Sequence, residues 1–216
     1  MSHRVKGAYK LLERPGIYTR FQALLGGPGA FRRFVDEHLR PFEGARVLDV
    51  GCGAGALLDY LPSTVRYAGY DVNPAYIEDA RRRHGDRGRF FCARVGEEPP
   101  EIEEGGFDFV VAVALLHHLN DDDASNLARS AVRLLGDGRS FVSIDPTLHE
   151  GQNWLARLMA RLDRGGAVRS PDGYRRLLAP HFPSIEAWLL TDMLAIPYSH
   201  AVLRGTKDAI GRIATP

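Results

Sequence analysis

Three glycines at alternate positions, Gly51, Gly53 and Gly55, close the run VLDVGCGAG at 47–55, and no other feature of the 216 residues narrows the fold as much. An apolar strand must end there, turn on backbone that side chains would obstruct, and pass into the helix-compatible run ALLDYL. Turns of this kind, at the carboxyl ends of strands, are where open α/β sheets bind ligands. The spacing is not the GxGxxG of dinucleotide sites, whose third glycine falls one residue later and lets a helix pack close behind the pyrophosphate. Here Asp49 stands just upstream of the turn. A carboxylate at that point suits an ammonium or sulfonium group better than a pyrophosphate.

Around this turn, β-rich runs alternate with helix-compatible stretches. The runs ARVLDVG (45–51), RYAGYDV (66–72), RFFCARV (89–95), FDFVVAVA (107–114) and RSFVSIDP (139–146) leave room for crossover helices and predict five parallel strands. After Pro183 come SIEAWLLTDM and HAVLRGT, joined by a loop too short for a helical crossover, which predicts an antiparallel pair. The expected class is therefore α/β, a Rossmann-like three-layer sandwich. One domain is expected over 1–216, divided into a helical cap (1–40), a ligand-binding core (41–146), an insertion with a helix on the substrate side (147–182) and the C-terminal strand pair (183–216). Residues 17–39 read as helical, with Phe21, Leu24, Leu25, Phe31 and Phe34 apolar and a GGPG break at 26–29. In the insertion, Trp154, Leu155, Leu158 and Leu162 fall on one helical face, and Arg157, Arg161 and Arg164 on another.

Composition excludes several classes of function. A formal net charge of +1 provides no global field for nucleic acid or an anionic membrane, so any anion recognition is local. The opening segment is charged throughout and no run of eighteen apolar residues occurs, so neither a secretory signal nor a transmembrane span is expected, and a cytoplasmic location follows. Cys52 and Cys92 are too few for a disulfide framework and too far apart for a CxxC zinc site; no metal is expected.

Twenty-two residues beyond Asp49, the second strand ends in Asp71, from which a carboxylate can accept both hydroxyl hydrogens of an adenosine ribose. A glycine turn paired with such an acid points to a nucleoside ligand. Together VLDVGCGAG, AGYDVNPAYIEDARRR and FDFVVAVALLHHL resemble the class I S-adenosylmethionine-dependent methyltransferases over residues 40–146. The resemblance implies S-adenosyl-L-methionine as cofactor and a strand order of 3-2-1-4-5-7-6 with the seventh strand antiparallel. It also implies roles for individual residues: Asp49, Gly51, Cys52, Gly53 and Gly55 face the methionine part, Asp71 holds the ribose, and Val72 and Asn73 flank the adenine. Ala114 and Leu115 line the methionine end, and Arg94 and Val95 follow the third strand beside the adenine. Arg94 departs from the family, which commonly has an aspartate there to accept from the adenine amino group; arginine has no acceptor. Either Arg94 turns outward and a backbone group serves the adenine, or the cofactor binds more weakly.

The fourth run ends in His117 and His118 at the ligand-facing edge of the sheet, and Asp145 ends the fifth; these are the catalytic candidates. An unperturbed imidazole is largely neutral at cytoplasmic pH, so His117 is expected to take a proton from a hydroxyl acceptor, while His118 packs back against the loop. The bland alternative for either ring is packing with a hydrogen bond to backbone. Tyr18, Arg20, Tyr198 and His200 are further pocket candidates that serve equally well as packing residues. The expected activity is methyl transfer to O, N or C of a small-molecule acceptor, of the kind found in secondary metabolism, without nucleic-acid partners or membrane insertion. A base-flipping NPPY-like motif is missing at LLHHL, which argues against nucleic acid as substrate. The rivals are a non-catalytic cofactor-binding module and, lacking GxGxxG and a Tyr/Lys pair, an NAD-dependent oxidoreductase.

Overall fold

The computed structural model describes residues 27–209 except 164 and 195. Seven strands form one sheet in the order β3-β2-β1-β4-β5-β7-β6. They are β1 (Arg46–Val50), β2 (Arg66–Asp71), β3 (Gly88–Cys92), β4 (Phe107–Val113), β5 (Leu135–Pro146), β6 (Ser184–Leu190) and β7 (His200–Thr206). β1 to β5 run parallel, and β7 lies antiparallel between β5 and β6, as the order predicted from sequence requires. β5 begins earlier than its apolar run suggested, because Leu135 already pairs with Phe107 before a register irregularity around Gly138.

The period of two in β1 sends Val47 into one layer of the core and Leu48 and Val50 into the other. On the first face lie α1 (Gly27–Arg33), a π-helical turn (Phe34–Leu39), a 3-10 segment (Ala56–Tyr60) and α2 (Pro74–His84). On the second lie α3 (Asp121–Leu134) and α5 (Pro171–Leu178), where Ala124, Leu127, Ala128, Ala131, Leu134, Tyr174 and Leu178 are buried against the sheet. Sequence chemistry sets the starts of these helices. The side chains of Asn73, Asn120 and Ser170 accept the orphan N–H groups of Ala75, Asp123 and Gly173, and Pro74 and Pro171 sit in first turns where a missing N–H costs nothing. Phe21, Leu24, Leu25, Tyr18 and Arg20 lie outside the described residues.

The insertion helix α4 (Trp154–Arg161) turns its amphipathic pattern outward. Its buried residues are Ala156 and Ala160, whereas Trp154, Leu155, Leu158 and Leu162 are exposed. Two small side chains form the seam, and the large apolar ones face away from it. Among the described residues no helix is long and apolar enough to cross a membrane.

Candidate functional site

The glycine turn and the end of β2 are knitted together through backbone groups. Gly51, Gly53 and Gly55 have φ of 71°, 53° and 77°, the left-handed region that costs other residues most. The N–H groups of Gly51 and Cys52 both donate to the Tyr70 carbonyl, at 2.8 and 3.1 Å. Each glycine has its own reason. A Cβ on Gly51 would stand 2.9 Å from the Leu115 side chain, and one on Gly55 would press on the His84 and Phe90 rings, so these two permit packing. A Cβ on Gly53 would meet nothing within 4 Å, so this glycine borders open space.

Asp71 closes the cradle. Its Oδ2 accepts from the Gly53 N–H at 3.0 Å and its Oδ1 from the Asn73 N–H at 2.8 Å. Each carboxylate oxygen has two lone pairs, so both keep acceptor capacity for a diol. Asp49 lies deeper, 2% exposed, with Oδ2 accepting the Tyr67 hydroxyl at 2.8 Å and Oδ1 buried without a partner. Burial pushes its carboxyl up to about 7, against the Tyr67 hydrogen bond, which favours the ionised form. A cation nearby would restore the charge. Cys52 is buried beneath the turn, and burial followed by the Asp49 and Asp71 charges raises its thiol far above the usual range, so it stays protonated.

Val72, 58% exposed, offers an apolar surface beside Asp71, whereas the side chain of Asn73 is committed to capping α2. Arg94 and Val95 follow the end of β3, with Arg94 exposed. Past β4, Ala114 adopts φ of 52°, a strained conformation for a residue with a Cβ, which swings Leu115 onto Gly51. No sequence pattern announces that strain.

Beyond it the histidine expectation reverses. His117 is the buried ring, 4% exposed, and His118 is the exposed one, 4.1 Å away centroid to centroid. Asp145, fully buried at the end of β5, accepts from both the backbone N–H and Nδ1 of His117 through Oδ1, at 3.1 and 2.9 Å. His117 Nε2 lies 3.2 Å from Asp163 Oδ1. Burial alone would lower this imidazole, but the hydrogen bonds and charges of Asp145 and Asp163 prevail and raise it to about 9. The neutral His117 expected from an unperturbed value is thus corrected to an imidazolium with both nitrogens donating.

Asp163, which sequence reasoning missed, joins the insertion to this edge. Its Oδ2 accepts the Tyr198 hydroxyl at 2.7 Å and its Oδ1 the Gly165 N–H at 2.9 Å. Burial opposes ionisation, yet the His117, Gly165 and Tyr198 contacts hold its carboxyl well below the usual range. A Cβ on Gly165 would stand 2.1 Å from the His117 ring, and the Ala167 N–H donates to the His117 carbonyl at 3.1 Å, so this loop lies directly on the histidine. Its one faint sequence signal is the pair Gly165–Gly166 after an acid. His200, at the start of β7, is instead held neutral: burial and then the His117 charge lower it to about 4.

Residues 48–139 match a family model described as a methyltransferase domain. The chain is 39% identical over 145 residues to the ubiquinone biosynthesis O-methyltransferase of Methylocella silvestris, covering 65% of this chain and 55% of that one. It is 32% identical over 133 residues to the ribosomal RNA small subunit methyltransferase C of Salmonella arizonae, covering 57% and 36%. The fold of the pyocyanin biosynthetic protein PhzM superposes with a TM-score of 0.72 at 17% identity, over 92% of this chain and 61% of that one. The matches span 66%, 55% and 28% of the lengths of three curated relatives.

Proposed function

We propose that this chain, whose residues 48–139 match a methyltransferase-domain model and whose sheet has the order 3-2-1-4-5-7-6, moves the methyl group of S-adenosylmethionine to a small-molecule acceptor. The observation that carries this reading is the cradle at the ends of β1 and β2. It combines a buried carboxylate with one oxygen orphaned, a left-handed glycine open on its Cβ side, and a second carboxylate with lone pairs to spare. The chemistry of that donor set fits the cofactor: Asp49 complements a cation, Asp71 a ribose diol, and Val72 the face of a base. Bound there, the cofactor supplies an activated methyl group on a sulfonium, so the protein has mainly to align the acceptor and exclude water.

At the far side of the cleft, His117 orients and does not deprotonate. Clamped by Asp145 and Asp163, it fixes the end of β4 against the insertion loop. His118 and Asp145 transfer no proton; Asp145 has one oxygen on His117 and the other buried. The acceptor is then one that needs no strong base. A relative with an O-methyltransferase name supports the small-molecule class, and a formal charge of +1 argues against a nucleic-acid substrate despite the ribosomal RNA methyltransferase among the relatives.

Calorimetric titration with S-adenosylmethionine, its demethylated product and NAD separates the classes. Binding of the first two without NAD is expected. Binding of NAD alone would replace the proposal with an oxidoreductase.

A further inference from the structure

We propose a second binding site, for a small organic monoanion with an apolar body, in the groove between the π-helical turn and the outer strands β6 and β7. The groove encloses about 460 Å³, and its walls include His38, Arg40, Glu186, Trp188, Leu190 and Arg204. In the strand order, β4, β5 and β7 separate β6 from β1, so the groove lies about 19 Å across the sheet from the cofactor cradle. Its occupant need not take part in methyl transfer.

The floor of the groove carries polar groups that the protein leaves unmet. Eight buried side-chain nitrogen or oxygen atoms lack a hydrogen-bond partner among the described residues, and three of them are here: both ring nitrogens of His38 and Nε of Arg204. His38 is 6% exposed, and its ring meets Trp188 edge-on at 5.1 Å between centroids. The Arg204 guanidinium lies on the same residue, with Nη2 donating to the His38 carbonyl. Native proteins pair nearly all such atoms, with a ligand where the chain itself does not, and three together point to one.

Arg204 is also a half-buried charge without a counter-ion. It forms no ion pair among the described residues, although Glu186 stands opposite it across the β6–β7 ladder. Burial lowers its guanidinium from the usual value; the Glu186 charge opposes this and Arg40 adds to it. Burial lowers His38 too, so at neutral pH its ring offers one N–H and one lone pair.

Charge and shape select the occupant. One guanidinium at the floor balances one negative charge, and its Nε with an imidazole N–H gives a single anionic group two donors. The carboxylates sit at the rim: Glu186 is exposed, and Glu37 is committed to Arg33 at 3.0 Å. Solvated there, they are screened from the floor, while Glu186 disfavours a second negative charge on the ligand. Trp188 and Leu190 supply an apolar wall for the rest of the molecule.

The test uses the full chain with Trp154→Phe, which leaves Trp188 as the sole tryptophan. Cyclohexanecarboxylate, acetate, cyclohexylmethanol and inorganic phosphate are titrated against Trp188 emission at neutral pH. The first is expected to give a saturable change and to bind at least about tenfold more tightly than acetate, which lacks the apolar body, or cyclohexylmethanol, which lacks the charge. His38→Phe keeps a ring and removes the unmet nitrogens, so it should weaken the acid at least about fivefold while its urea midpoint stays level or rises. Glu186→Gln should tighten the acid about twofold and leave the alcohol unchanged. No saturable response, equal affinity for acid and alcohol, or phosphate binding as tightly as the acid overturns the proposal. So does a lowered urea midpoint in His38→Phe, which would mean that the protein itself pairs those nitrogens.

Discussion

The two ends of the cleft are held by different forces. Around the glycine turn the contacts come from backbone N–H groups and from residues of two successive βα units, such as Gly53 on Asp71 and Cys52 on Tyr70. At the end of β4 the contacts are between ionisable side chains from three elements far apart in sequence, His117, Asp145 and Asp163, with Tyr198 from a fourth. The first arrangement is shaped to receive a ligand and leaves acceptors open. The second satisfies its own charges, with one imidazolium set between two carboxylates.

The contrast is easiest to break at Asp145. Asp145→Ala strands the buried His117 imidazolium with Asp163 alone, so urea unfolding should show a loss of about 3–5 kcal/mol. A loss under about 1 kcal/mol would mean the clamp is not a stability element. On the other side, Asp71→Ala should lower S-adenosylmethionine affinity at least about tenfold in calorimetry, with a smaller cost to the fold, about 1–3 kcal/mol, because the Gly53 and Asn73 N–H groups lose their acceptor. Full affinity in that variant would remove the ribose assignment.

The difference between the two ends also decides what the sequence could disclose. The glycine turn is written in consecutive residues, and Asp71 lies at the end of the next strand, so local spacing suffices; the alternation of runs also carries the five parallel strands and the antiparallel last pair, whereas the strand order was implied by the family resemblance. The clamp is not local. Nothing in LLHHL says which ring is buried, and Asp163 gains its role only because α4 ends beside His117, with Gly165 permitting the approach. Nor does the periodicity of α4 say which face packs: Ala156 and Ala160 take the seam because small residues let a short helix lie close, and the larger apolar residues are turned out.

A milder effect concerns pH. Folded His117 holds its proton up to about 9, against an ordinary value of 6.5, so its contribution to stability is complete below pH 6.5 and is lost as pH rises through 9. Urea midpoints should therefore fall across that window, and His117→Gln should flatten the fall. The smallest effect is expected on α4. Leu158→Glu, on the exposed face, should change stability by no more than about 0.5 kcal/mol, whereas Ala160→Leu in the seam should cost about 1–3 kcal/mol. Equal losses would put the packing face on the wrong side.

The most direct test of the central claim, that the acceptor meets a clamped imidazolium and not a base, is an NMR titration of the His117 ring nitrogens through the neutral and alkaline range. Both nitrogens are expected to remain protonated at neutral pH, with the ring titrating near 9. A midpoint near the ordinary value of 6.5, with one nitrogen unprotonated at neutral pH, would contradict it and return His117 to the role of general base.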